Sequence, residues 1–145
     1  MNRKFLSGGG SGSSIGDVPI MRVAEMYLIE AEAVGMSAGV GAGLAKLNSF
    51  MQSYRQPNYN FATSDSRAFQ IEVLTQMRIE FWGEGNAFPS AKRIKPDIIQ
   101  NYVGTNAPAD IFKLNLRGIK PNWNLVIPIN EMDANAALAG LNNPN

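Results

Sequence analysis

Residues 18–54 read VPIMRVAEMYLIEAEAVGMSAGVGAGLAKLNSFMQSY, and the fold is decided by where this stretch breaks. Its first half is helical by spacing. Met21, Ala24, Tyr27, Leu28, Ala31 and Val34 recur at steps of three and four and share one broad apolar face. Asp17 is placed to cap this helix and Pro19 suits its first turn, while Arg22, Glu25, Glu30 and Glu32 fall largely on the other sides. Gly35 is the expected stop. A second helix is expected from near Ser37, with Val40, Leu44, Leu47, Met51 and Tyr54 on one stripe. Gly39, Gly41 and Gly43 each cost a helix about 1 kcal/mol relative to alanine. The first turns of this helix therefore require tertiary packing or close approach of another backbone. A connection of a few residues folds the two helices into an antiparallel hairpin.

Downstream, QPNYNFATSDS at residues 56–66 reads as a loop, and a third helix follows. Phe69, Val73, Met77 and Phe81 form its main stripe, which Ile71, Leu74 and Trp82 widen, so this helix is expected to be buried on two sides. GEG at 83–85 interrupts it, and NAFPSAKRI adds a short turn of helix. Residues 95–110 carry Pro96, Gly104 and Pro108 and read as irregular. In IFKLNLRGI, Phe112, Leu114 and Leu116 alternate with Lys113, Asn115 and Arg117, the pattern of a half-buried strand. A turn over 118–122 leads to WNLVIPI, a second strand that Pro128 ends or places on an edge. NEMDANAALAGLNNPN closes the chain with a helical turn capped by Asn130. The expected fold is mainly α: a tetratricopeptide-like helical hairpin, a third amphipathic helix across it, and a small antiparallel β-hairpin near the C-terminus. A hairpin of about 34 residues is one such repeat unit, and a solenoid normally needs three or more. No second copy is found in the sequence, so the third helix and the β-hairpin must cover the pair.

Composition narrows the chemistry. The chain has 145 residues, 45% of them hydrophobic and 9% aromatic, which suits one globular domain. Thirteen basic and twelve acidic residues leave a formal charge of +1 without a basic stripe, so nucleic acid is not expected as a partner. With no histidine and no cysteine, histidine-based acid–base catalysis, thiolate chemistry and the commonest zinc sites are excluded. No cofactor or metal is expected. SGGGSGSS at residues 7–14 buries nothing and has the composition of a designed flexible spacer. It lacks the Gly-Lys-Ser/Thr of a phosphate loop. The expected organisation is a short upstream segment at 1–6, this linker at 7–14, and a single domain at 15–145.

Glu80 and Glu84 lie four apart on one helix face. A carboxylate pair suggests glycoside hydrolysis, but catalytic carboxylates flank a substrate cleft rather than line one helix. The ordinary reading is a structural network with Arg78 and Arg93 as counter-charges. Sugar recognition needs a flat aromatic face beside amide or guanidinium groups. Asn122, Trp123 and Asn124 on a turn-to-strand junction, with Tyr102, are the ligand-binding candidates; Tyr59 is a further aromatic. The ordinary reading of Trp82, and of Trp123 itself, is core. Met21, Met26, Met36 and Met51 at helical spacing read as core packing rather than an adaptable groove. AKRIK at 91–95 reads as a solvated face.

QMRIEFWGEGNAFPSAKR at 76–93 resembles a segment of the SusD/RagB family, through Arg78, Glu80, Phe81, Glu84, Gly85, Phe88 and Arg93. It departs from the family pattern at Gln76, at Ala87–Phe88 and at Ser90. LVIPINEMDANAALAGLNNPN is similar to the family's closing segment through Pro128, Glu131, Asn135 and Leu138 and the tail at 142–144. VPIMRVAEMYLIEAEAVG resembles the preceding helix through Arg22, Ala24, Glu25, Leu28, Ala31, Glu32 and Ala33. The resemblance implies a structural role for Arg78, Glu80, Glu84, Gly85, Arg93, Pro128, Glu131 and Asn135. It implies the C-terminal part of a longer exported lipoprotein of the outer-membrane cell surface, with NRKFL joined by SGGGSGSS in place of a larger region. The implied function is non-catalytic capture of an oligosaccharide for nutrient uptake beside a TonB-dependent, SusC-like transporter. On this reading the membrane is reached through a lipid anchor absent from this chain, which is itself soluble. A helical-repeat protein-interaction module without a glycan role is the alternative, and a hydrolase a distant third.

Overall fold

The computed structural model describes residues 20–99, 102–105, 115–116 and 124–142. The chain is mainly helical and divides into two compact units, residues 1–90 and 91–145.

The first unit is built on a helical hairpin. Helix α1 spans Val23–Ser37, with Arg22 at the N-cap position and no side-chain cap. The expected cap, Asp17, lies outside the described residues. Gly35 does not stop the helix; it is buried within it. The chain turns at Ala38, whose N–H donates to the Val34 carbonyl at 2.8 Å, and at Gly39, whose φ of 104° favours glycine. Helix α2 follows over Val40–Tyr54. Paired contacts run in opposite directions along the two helices. Tyr27 meets Phe50 and Tyr54, Glu30 meets Lys46, and Gly35 meets Gly43. The hairpin is therefore antiparallel.

Gly35 and Gly43 explain how the helices come so close. A Cβ on Gly43 would lie 2.5 Å from the Gly35 Cα and 2.6 Å from Cζ of Phe69. One on Gly35 would run into the same ring. The two missing side chains leave a notch that the Phe69 ring fills. Phe69 comes from helix α3, Ser66–Glu80, which packs on both α1 and α2. Asp65 starts α3, its carboxylate accepting from the N–H groups of Arg67 (2.9 Å) and Ala68 (3.2 Å). The predicted stripe is the one that is buried: Phe69, Val73, Met77 and Phe81 join Leu28, Ala31, Leu47, Phe50 and Met51 in one core.

Other expectations at these helices are corrected. Met21, Met26 and Met36 are exposed, and of the four methionines read as core, Met51 is buried. Tyr54 is exposed, and Phe50 takes the inward position on α2. Glu32 is buried and accepts a hydrogen bond from Gln70 Nε2 at 3.2 Å. Trp82 is 61% exposed, because the chain leaves the helix at Phe81 and its ring falls outside the buried stripe.

The loop before α3 is held by side chains. Asn48 bonds both backbone groups of Phe61 (3.0 and 3.1 Å), and Gln52 donates to the Tyr59 carbonyl (2.8 Å). The Tyr59 hydroxyl donates to Glu72 at 2.7 Å. Burial first, then this carboxylate, pushes the Tyr59 phenol well above its ordinary range.

Helix α4, Ala87–Ile94, follows the glycine turn and confirms the short helix read from NAFPSAKRI. In the second unit, strand β1 (Ile98–Ile99) pairs antiparallel with β2 (Asn115–Leu116), Ile98 opposite Leu116. A strand thus forms within IFKLNLRGI, but its partner is the segment expected to be irregular. Residues 124–128, expected as the second hairpin strand, carry no strand. Pro128 explains part of this, since it lacks the N–H a ladder needs. The rest of the expected hairpin, 111–114 and 117–123, lies outside the described residues. Helix α5 runs Ile129–Ala134 with Pro128 at its N-cap position, so Asn130 lies inside it rather than capping it. Asn135 instead caps the 3-10 turn Ala136–Leu138, accepting from the Ala137 N–H at 3.1 Å.

The notch makes a discriminating prediction. Gly43→Ala should destabilise the chain by about 1–3 kcal/mol through overpacking. Gly41→Ala, with open space around its Cβ, should stabilise it by up to about 1 kcal/mol. Urea denaturation of the two variants checks this, and equal effects would contradict the notch.

Candidate functional site: a charge clamp and an aromatic groove

Two features surround the C-terminal end of α3. The first is built on Glu80, in its last turn. Arg55, just past α2, approaches the carboxylate with both Nε (2.5 Å) and Nη2 (2.6 Å). Arg22, at the start of α1, bonds the same carboxylate and donates from Nη1 to the Glu80 carbonyl at 3.0 Å. Arg22 Nη1 also meets Glu84 Oε1 at 2.9 Å, where the Glu84 side chain is 4% exposed. The two guanidiniums lie over aromatic rings, Arg22 on Phe81 at 5.6 Å and Arg55 on Phe50 at 5.5 Å. One carboxylate thus ties the ends of three helices.

This geometry also sets the charge state of the cluster. Burial pushes the Glu80 carboxyl up, but hydrogen bonds and charge from Arg55, then Arg22, outweigh it and hold the group below its ordinary value. For Arg22 burial acts first to lower the pKa, and is outweighed by Glu84 and Glu80. Both glutamates are engaged by arginines, Glu80 by Arg22 and Arg55 and Glu84 by Arg22. Arg78 does not serve that role: it is exposed and lines a groove. Arg93 is exposed in the last turn of α4.

That groove is the second feature. Thr75, Arg78, Ile79 and Trp82 follow one another along a single face of α3 and the turn after it, and Gly83 and Ala87 complete an open cavity of about 740 Å3. Gly83 and Gly85 both take positive φ (77° and 86°), which lets the chain reverse directly after Trp82. The result is an exposed indole beside a guanidinium and a hydroxyl. This combination provides an apolar face, the guanidinium donors of Arg78 and the acceptor oxygen of Thr75, whose proton goes to the Ile71 carbonyl.

The predicted ligand-binding residues fare differently. Tyr102 is 60% exposed in a turn and Asn124 is half-buried. Asn122 and Trp123 lie outside the described residues. Pro128 begins α5, Glu131 is exposed in its first turn, and Asn135 caps the turn that follows. Trp82 was missed as a surface residue because its position widens an apolar stripe. The warning signal was GEG directly after it, which ends the helix where the ring would have to turn inward. Among the described residues, no group of three or more acidic side chains is placed to hold a metal ion.

The described residues thus form a mainly helical scaffold with an exposed aromatic groove and a glutamate–arginine cluster at one end of α3. The chain belongs to the SusD family, whose model matches residues 1–144. No curated protein and no solved structure gave a match.

The clamp has a pH signature. The folded pKa of Glu80 is depressed, so its stabilisation is present above the ordinary glutamate value of about 4.3 and fades as pH falls through the depressed one. Glu80→Gln should cost about 1–3 kcal/mol at neutral pH. The difference between wild type and variant in urea midpoint should shrink on going from about pH 6 to about pH 3. A difference that does not change with pH would contradict the assignment.

Proposed function

We propose that this chain takes part in non-catalytic capture of oligosaccharide for uptake across an outer membrane. The family match supports this reading, since the SusD family comprises glycan-binding surface lipoproteins that work with SusC-type transporters. The observation that carries it at residue level is the exposed indole of Trp82 in a groove with Arg78 and Thr75. An indole covers the C–H face of a sugar ring, a guanidinium donates to its oxygens, and the Thr75 oxygen, whose proton goes to the Ile71 carbonyl, can accept from a sugar hydroxyl. Asn122, Trp123, Asn124 and Tyr102 are proposed as further contacts. The antiparallel hairpin is the counterpart of one tetratricopeptide unit, and its share of the task is to hold these surfaces. The three matching sequence blocks are those of the family's C-terminal part, for which we assign a scaffolding role beside the transporter at the cell surface. Among the described residues, no helix is long and apolar enough to cross a membrane, in keeping with attachment by other means.

A glycan array, followed by calorimetry on any hit, tests the proposal. Wild type should bind at least one oligosaccharide class, and Trp82→Ala should weaken that binding about tenfold. Trp123→Ala should weaken it as well. Silence across the array, with specific capture of a protein partner, would favour the interaction-module reading. Sugar release abolished by Glu80→Gln would overturn the non-catalytic one.

A further inference from the structure

Away from α3, on the α1–α2 hairpin, three aromatic rings form a cluster that the core does not enclose. Tyr27 stacks on Phe50 with centroids 5.4 Å apart, and Tyr54 tilts against both at 5.8 and 5.7 Å. Phe50 is buried beneath, whereas Tyr27 and Tyr54 are 39% and 57% exposed. The rings line a cavity of about 170 Å3, with Glu30, Lys46, Ser49 and Ser53 completing its wall.

The polar groups of this wall are exposed and open to a ligand. Ser37 and Thr75 show what helical hydroxyls ordinarily do here, each donating to the carbonyl four residues back, at 2.7 and 2.9 Å. Ser49 and Ser53, one turn apart on α2, make no such bond and have no protein partner among the described residues. Beside them Glu30 and Lys46 form an ion pair at 2.7 Å, both ends about half exposed. Such a pair sets a strong acceptor next to a strong donor. Two neighbouring hydroxyls of a sugar present the matching pattern, one donating to the carboxylate and one accepting from the ammonium.

From this juxtaposition of part-exposed tyrosine rings, exposed serines and an exposed ion pair, we propose that the hairpin carries a second sugar subsite. It takes a single pyranose unit, whose C–H face rests on Tyr27 and Tyr54 and whose vicinal diol meets Glu30 and Lys46. The size fits one ring rather than a chain, because sites for larger ligands run to roughly 300–1,000 Å3. The proposal rests on the reading of the chain as a glycan binder but uses none of the groove residues around Trp82.

The experiment is an amide-resolved NMR titration of the whole chain with maltotriose, cellotriose, mannotriose and galactotriose, with mannitol as an acyclic control. Shifts are expected at Ser49, Ser53 and Tyr54 with at least one trisaccharide and not with mannitol. Tyr54→Ala should weaken the response at Ser49 and Ser53 about tenfold. Lys46→Met, on an exposed side chain, provides a second variant with the same expected direction and little effect on folding. If a trisaccharide binds elsewhere while these amides stay still, the subsite is overturned and the glycan reading survives. If mannitol shifts them equally, ring stacking is overturned. If no trisaccharide binds at millimolar concentration, both readings fall together.

Discussion

The contact between the Phe69 ring and the backbones of Gly35 and Gly43 is the constraint on which the first unit depends. Two helices that cross at a pair of glycines approach more closely than side chains would permit, and the cleft they leave is shaped for a planar ring. Phe69 is fully buried there, so the dispersion contacts it makes are lost if either helix shifts. Because the ring arrives from α3, one contact sets the spacing of the hairpin and the placement of the helix that covers it. A lone repeat-sized hairpin cannot bury its own apolar face; here the third helix substitutes for the missing neighbour.

At the opposite end of these helices a different force does similar work. The Glu80 clamp gathers the start of α1, the end of α2 and the end of α3 onto one carboxylate. Packing fixes the helices at the Phe69 end and charge-assisted hydrogen bonds fix them at the Glu80 end. The exposed aromatic surfaces lie close to the Glu80 end: Tyr27 and Tyr54 on the hairpin and Trp82 just after α3. The two anchors thus position the surfaces near them through residues that are themselves tied up in packing and charge pairing.

Much of this was legible from the residues alone. The glycines of α2 were read as needing close backbone approach, and Gly43 has it. The stripe Phe69, Val73, Met77 and Phe81 was read from spacing and is the stripe that is buried. What escaped the sequence has physical reasons. Gly35 reads as a stop because glycine is a poor helix former, yet tertiary packing overrides propensity when a ring needs the room. Arg22 and Arg55 are far from Glu80 in sequence, so nothing in the local spacing pointed to them. The partner of Asn115–Leu116 was mistaken because WNLVIPI has a strand's composition, whereas Pro128 removes a donor from its ladder. Trp82 looked like core since periodicity cannot register where a helix ends to within a residue. The candidate site was accordingly less legible than the core: its chemistry could be listed, but not which rings would be left bare.

Near the C-terminus, Leu125, Val126 and Ile127 form an extended apolar run, with Leu125 88% exposed. Such a run is a template for intermolecular β-pairing and aggregation. The Asn142 side chain occupies it: Oδ1 accepts from the Ile127 N–H at 2.8 Å and Nδ2 donates to the Ile127 carbonyl at 3.2 Å. A single amide thus imitates one rung of a neighbouring strand, and Pro128 beside it offers no donor. By engaging both backbone groups of Ile127, Asn142 takes up the donor and the acceptor that a neighbouring strand would otherwise pair with there.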